Sequence, residues 1–147
     1  MEFYQDFQEL LVLLNAHKVD YVIVGAYALG YHGCPRYTTD LDILVRPSPD
    51  NGAQVAAALR EFGVESLGFK AEDFADPDQI VQIGVKPVRV DVLTSISGVT
   101  WEDAAAGRMP GRFGEIDVYY LGREQFIANK KATGRKKDLG DIEAIGG

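Results

Sequence analysis

Arg36-Tyr37-Thr38-Thr39-Asp40-Leu41-Asp42-Ile43-Leu44-Val45 is the stretch that decides how the rest of the chain is read. From Asp40 onward the composition is that of a β-strand, and side chains on a strand alternate faces. Asp40 and Asp42 therefore project to one side, and Leu41, Ile43 and Val45 to the other. One face is core; the other carries two negative charges. Carboxylates this close repel each other, and a partly buried pair is costly unless it shares a proton or binds a cation.

A second segment, Arg89-Val90-Asp91-Val92-Leu93, repeats the pattern, with Asp91 set between two β-branched residues that would point to a core. If this strand lies beside the first, three carboxylates converge. Hard oxygen donors suit Mg²⁺ or Mn²⁺, whereas one cysteine and two separated histidines argue against a structural zinc site. The plain alternative is that Asp40 ends a turn, Asp42 is a solvated strand residue and Asp91 pairs with Arg89 on the same face.

Upstream, Tyr21-Val22-Ile23-Val24 is a short β-rich run that stops at Gly25, after which Ala26-Tyr27-Ala28-Leu29 has helical composition: strand, tight turn, helix. A helix start offers free N–H groups to a phosphate, and glycine permits close approach, so Gly25 and Ala26 are candidate phosphate contacts. Gly25 read plainly only permits the turn; neither a Walker A pattern nor G-x-G-x-x-G is present. Before it, Phe3, Phe7, Leu10, Leu11 and Leu14 recur at helical spacing.

Downstream, Asp50 is expected to cap a helix with Val55, Ala56, Leu59 and Phe62 inward and Gly63 as its stop. Strands are expected over 79–84, 88–93 and 117–121, the first two joined through Lys86-Pro87. Helices are expected near 101–106, 124–133 and 138–145, with Gly134 ending the second and Asp138 capping the third. The sum is an α/β (α+β) chain with a small mixed sheet flanked by helices, read as one domain over 1–147 with a C-terminal helical segment from about 123.

The chain has 147 residues, 46% of them hydrophobic, and a formal net charge of −7. It repels phosphate backbones as a whole, so non-specific nucleic-acid binding is disfavoured. Lys130, Lys131, Arg135, Lys136 and Lys137 form a local exception, which a solvated helix face would also explain. One cysteine, Cys34, removes an intramolecular disulfide and points to a reducing cytoplasm. The opening residues show no basic region followed by an apolar run, and no stretch approaches the roughly 20 apolar residues that span a bilayer. The expectation is a soluble cytoplasmic protein with no membrane partner.

Taken together, Val24-Gly25-Ala26, the Asp-x-Asp strand with its preceding Arg36 to Thr39, and the later Val90-Asp91-Val92 resemble the signature of the DNA polymerase beta-like nucleotidyltransferase superfamily. The ending, Ile127-Ala128-Asn129-Lys130 through Arg135-Lys136-Lys137-Asp138-Leu139-Gly140-Asp141, resembles small prokaryotic, antitoxin-like members. The resemblance implies the nucleotidyltransferase fold and Asp40, Asp42 and Asp91 as catalytic metal ligands for Mg²⁺ or Mn²⁺. It implies nucleotide contacts from Gly25, Ala26, Arg36, Thr39, Lys130, Arg135 and Lys137, with Asp91 nearest the incoming hydroxyl. Members commonly carry Gly-Gly or Gly-Ser at the turn; Ala26 departs from this, keeping its N–H but supplying no hydroxyl.

The function expected is metal-dependent transfer of a nucleoside monophosphate from a triphosphate, ATP among the candidates, to a hydroxyl on a protein, an RNA or a small molecule. Two alternatives stand beside it: a catalytically weak, antitoxin-like partner of a small toxin protein, and a metal phosphohydrolase that uses water. So short a chain offers little surface for a selective pocket, so a homodimer or a second protein is one expected way to complete the site.

Overall fold

The computed structural model describes residues 3–64, 68–84 and 88–147. The expected Lys86-Pro87 junction lies outside them. Helix α1 (Gln5–Ala16) buries Phe7, Leu10, Leu11 and Leu14, the stripe set by their helical spacing. Strand β1 (Tyr21–Val24) is buried throughout, and α2 (Gly25–Tyr31) follows with no intervening loop. Strand β2 (Asp40–Val45) leads to α3 (Pro49–Leu59), then to a π-turn at Arg60–Val64 and a 3-10 turn at Ala71–Phe74 whose Phe74 is fully buried. The chain continues through β3 (Ile80–Ile83), β4 (Arg89–Leu93), α4 (Trp101–Gly107), β5 (Met109–Phe113), β6 (Ile116–Tyr120), α5 (Arg123–Thr133) and α6 (Lys136–Ala144).

The six strands form one mixed sheet in the order β3-β4-β2-β1-β6-β5. The pairs β2/β4 and β1/β6 are parallel, and the other three are antiparallel. Helix α1 packs against α3 and β6, α2 against β1 and β2, and α5 against α4 and α6. The core joins Val22, Ile23, Leu41, Ile43 and Val45 of the central strands to helix residues, with Phe7, Tyr27 and Phe113 packed ring against ring. Among the described residues no helix is long and apolar enough to cross a membrane.

Three local expectations need correction. The N-cap of α3 is Ser48, not Asp50: the Ser48 side chain accepts the N–H of Asn51, and Pro49 takes the first helical position, where its missing N–H costs nothing. Asp138 is likewise not the cap of α6; Arg135 holds that place, and Asp138, three residues on, accepts the Arg135 backbone N–H. Strand β5 was not expected at all. Its Pro110 and Gly111 argue against an interior strand, but β5 is the sheet edge, where proline is tolerated. Gly111 serves packing there, since a Cβ would come within 2.8 Å of the Tyr31 ring. Ser48→Ala is expected to cost about 1 kcal/mol and to lower Tm by roughly 2–4 °C. An unchanged thermal melt would contradict that capping role.

Candidate functional site

The acidic face follows from strand register. Because β2 and β4 run parallel with Asp42 opposite Asp91 and Asp40 opposite Arg89, these four side chains share one face of the sheet. The opposite face is apolar: Leu41 and Ile43 are fully buried, and Val90 and Val92 nearly so. Asp40, Asp42 and Asp91 thus share this face, and a cation joins them. Arg89 Nε lies 3.4 Å from Asp91 Oδ1 and its Nη2 lies 3.7 Å from Asp40 Oδ2. Among the described residues neither Arg89 Nε nor Asp91 Oδ1 has a hydrogen-bond partner, although both are buried. The Arg89–Asp91 pairing of the plain alternative is thus present within the carboxylate cluster.

Asp42 bears the cost of this crowding. Burial, then the charges of Asp91 and Asp40, push its carboxyl from 3.8 up to about 6, while Lys130 pulls it back down. Its place depends on the turn before it. Gly25 has φ +70°, and a Cβ there would collide with Asp42 Oδ2. The glycine therefore does more than permit a turn: its missing side chain is the space that Asp42 occupies.

Above Asp40 and Asp42 opens a cleft of about 260 Å³. Gly25, Ala26, Arg36, Lys130, Arg135 and Lys137 all line it, as expected, and Tyr37, Thr38 and Asp141 line it too. Thr39 is not among the lining residues; its carbonyl accepts the Arg89 N–H at 2.9 Å. Thr38 faces the cleft instead, with Oγ1 accepting the Asp40 N–H at 3.1 Å. Asp91 lies on the same sheet face but does not line the cleft. His32 contacts the Leu121 carbonyl at 2.7 Å and is not a lining residue.

Most of the cations in the cleft already have partners. Arg36 is ion-paired with Asp141, which is 6% exposed at its side chain; Asp141 is thus a buried counter-ion. Asp138, fully buried, accepts from Arg135 Nε at 2.7 Å and from Thr133 Oγ1 at 2.7 Å, and lies 3.7 Å from Lys130 Nζ. Arg135 first, then Thr133, holds the Asp138 carboxyl well below the usual carboxylate range. Lys137 makes no ion pair among the described residues. The basic cluster is therefore split, with Lys130, Arg135 and Lys137 at the cleft and Lys131 and Lys136 on exposed surface elsewhere.

A depressed carboxyl contributes stability above its unfolded pKa and loses it as pH falls through the folded value. Asp138→Asn is therefore expected to lower Tm at neutral pH, with the gap to the parent closing as pH drops below about 3. A gap of constant size across that range would contradict the pairing.

The donor set is all oxygen, which with the raised Asp42 carboxyl fits a divalent cation, although the Asp91 oxygen that lacks a hydrogen bond among the described residues already faces Arg89 at 3.4 Å. Among the described residues, however, no group of three or more His, Cys, Asp or Glu is already gathered as a cage for a metal. Arg89 reaches toward two of the three carboxylates that would form one.

No protein-family model matches the chain, and no curated protein matches it either. A solved structure that it resembles is an antigenic nucleotidyltransferase-like protein from Paracoccidioides brasiliensis, at 16% identity and a TM-score of 0.49, with 94% of this chain and 75% of that one covered. At that identity and score the likeness assigns nothing to this chain.

Proposed function

We propose that this chain is a metal-dependent nucleotidyltransferase that moves a nucleoside monophosphate from a nucleoside triphosphate to a hydroxyl. The observation that carries this reading is the pairing of Asp42 with Asp91 across adjacent strands, beneath a cleft whose walls bring Arg36, Lys130, Arg135 and Lys137 together. Charge explains why a metal belongs to it. The carboxylates around the cleft already offset its arginines and lysines, so a triphosphate carrying about four negative charges needs further positive charge to enter. Asp40, Asp42 and Asp91 are the residues that would hold Mg²⁺ or Mn²⁺, whose charge there would offset that of the phosphates and make the phosphorus a better electrophile.

The protein groups have separate tasks. Arg36 offers a planar fork to phosphate oxygens while Asp141 fixes its orientation. Lys137 brings a cation not committed to a carboxylate among the described residues. The Ala26 backbone borders the cleft and can donate its N–H, while Gly25 keeps Asp42 in position. Asp91 accepts the proton of the attacking hydroxyl; the oxygen then bonds to the α-phosphorus as the bond to the β-phosphate oxygen breaks, and pyrophosphate leaves.

Two observations favour the rival reading of a weakly catalytic binding partner: Ala26 in place of a second glycine or a serine, and Arg89 drawn toward Asp40 and Asp91. Product analysis with α- and γ-labelled triphosphates and Mg²⁺ or Mn²⁺ separates the possibilities. An α-labelled acceptor with released pyrophosphate is the expected result. Free monophosphate or phosphate with no labelled acceptor would mean hydrolysis, and unchanged triphosphate would favour the binding partner.

A further inference from the structure

We infer that Tyr37 is the platform on which the nucleobase stacks, an inference that rests on the nucleotide reading of the cleft. Among the described residues Tyr37, at 77% exposure, is the most open of the exposed large hydrophobic side chains, and its ring makes no hydrogen bond, ion pair or ring contact there. It is also the only aromatic residue lining the cleft among the described residues. An aromatic ring left in water gains from any flat apolar partner that covers it.

Size directs the base to that ring. The cleft holds about 260 Å³, below the roughly 300–1,000 Å³ of sites that enclose a drug-sized ligand. Its lining is mostly charged, with Leu29 as the one sizeable aliphatic wall. A chain of phosphates suits such a space; a nucleoside does not, and must lie at the rim beside Tyr37.

Both neighbours of Tyr37 are anchored. Arg36 is tied to Asp141, and Thr38 Oγ1 accepts the Asp40 N–H at 3.1 Å. The backbone that presents the ring is thereby held before any ligand arrives, which lowers the ordering cost of stacking. Stacking reads a π-face and not a hydrogen-bond pattern, so all four bases are accepted, with the larger purines held most tightly.

Calorimetric titration with Mg²⁺ and each of ATP, GTP, CTP and UTP, and separately with inorganic tripolyphosphate, tests this in the parent, Tyr37→Ala and Tyr37→Phe. Tyr37→Ala is expected to weaken every nucleotide by roughly 5- to 100-fold and the purines most, with tripolyphosphate unchanged and Tyr37→Phe close to the parent. Parent-like nucleotide affinity in Tyr37→Ala, or an equal loss for tripolyphosphate, would overturn the stacking role and leave the nucleotide reading intact. A parent that binds none of the four nucleotides would overturn both.

Discussion

Asp42→Asn, studied with chelator and no divalent ion, is expected to melt roughly 6–12 °C above the parent at pH 7.5 and to converge with it below about pH 4. The sign follows from the direction of the shift. Asp42 is raised from 3.8 to about 6, so the folded protein holds this proton more tightly than the unfolded chain does. Stability from the protonated form is intact at low pH and is lost as pH climbs between those values, reaching about 3 kcal/mol above pH 6. Asparagine keeps the shape and removes the charge that Asp91 and Asp40 repel. The same substitution removes one of the three carboxylates proposed to hold the metal, so a more stable protein should be an inactive one. Stability bought at the expense of function is what a strained, charge-dense site predicts. A variant that melts below the parent at pH 7.5, or a difference that ignores pH, would contradict this account of Asp42.

Gly25→Ala is expected to cost about 2–5 kcal/mol, measured by urea unfolding, and to abolish nucleotide transfer. Two effects combine: the left-handed backbone at φ +70° is strained for alanine, and the new methyl would meet Asp42 Oδ2, which must then move. Gly134→Ala is the control, because φ there is a comparable +64° and the nearest atom to the added methyl, the Lys131 carbonyl oxygen, stands at an ordinary 3.5 Å. Its smaller loss isolates backbone strain from the collision with Asp42. Equal losses at the two positions would mean that Gly25 is required by its turn alone.

The central strands and their carboxylates were legible in the sequence because charged and aliphatic residues alternate in Asp40–Val45 and Arg89–Leu93, and alternation fixes which side chains share a face. That register brings Asp42 opposite Asp91 is a long-range fact, but two strands with the same pattern made it an economical expectation. What local patterns could not convey was partnership across the chain. Asp141 reads as one more acidic residue near a helix start, yet it is a buried counter-ion for Arg36, 105 residues away. Arg89 was legible only as a neighbour of Asp91; that it also reaches Asp40 depends on strand pairing. Thr38 and Thr39 are adjacent and chemically alike, and nothing local says which faces the cleft. Strand β5 was hidden for a different reason, since Pro110 and Gly111 break every strand rule except the one for edges.

The most direct test of the proposed nucleotidyltransferase site is the Tm shift produced by Mg²⁺ or Mn²⁺ together with a nucleoside triphosphate, in the parent and in Asp40→Asn plus Asp42→Asn. Ligand at about 100 times its Kd stabilises by roughly 2.7 kcal/mol, so the parent should rise by about 5–11 °C only when metal and nucleotide are both present. The double variant should show no rise above its own baseline. No shift in the parent, or the same shift in the variant, would contradict a metal-held triphosphate on these carboxylates.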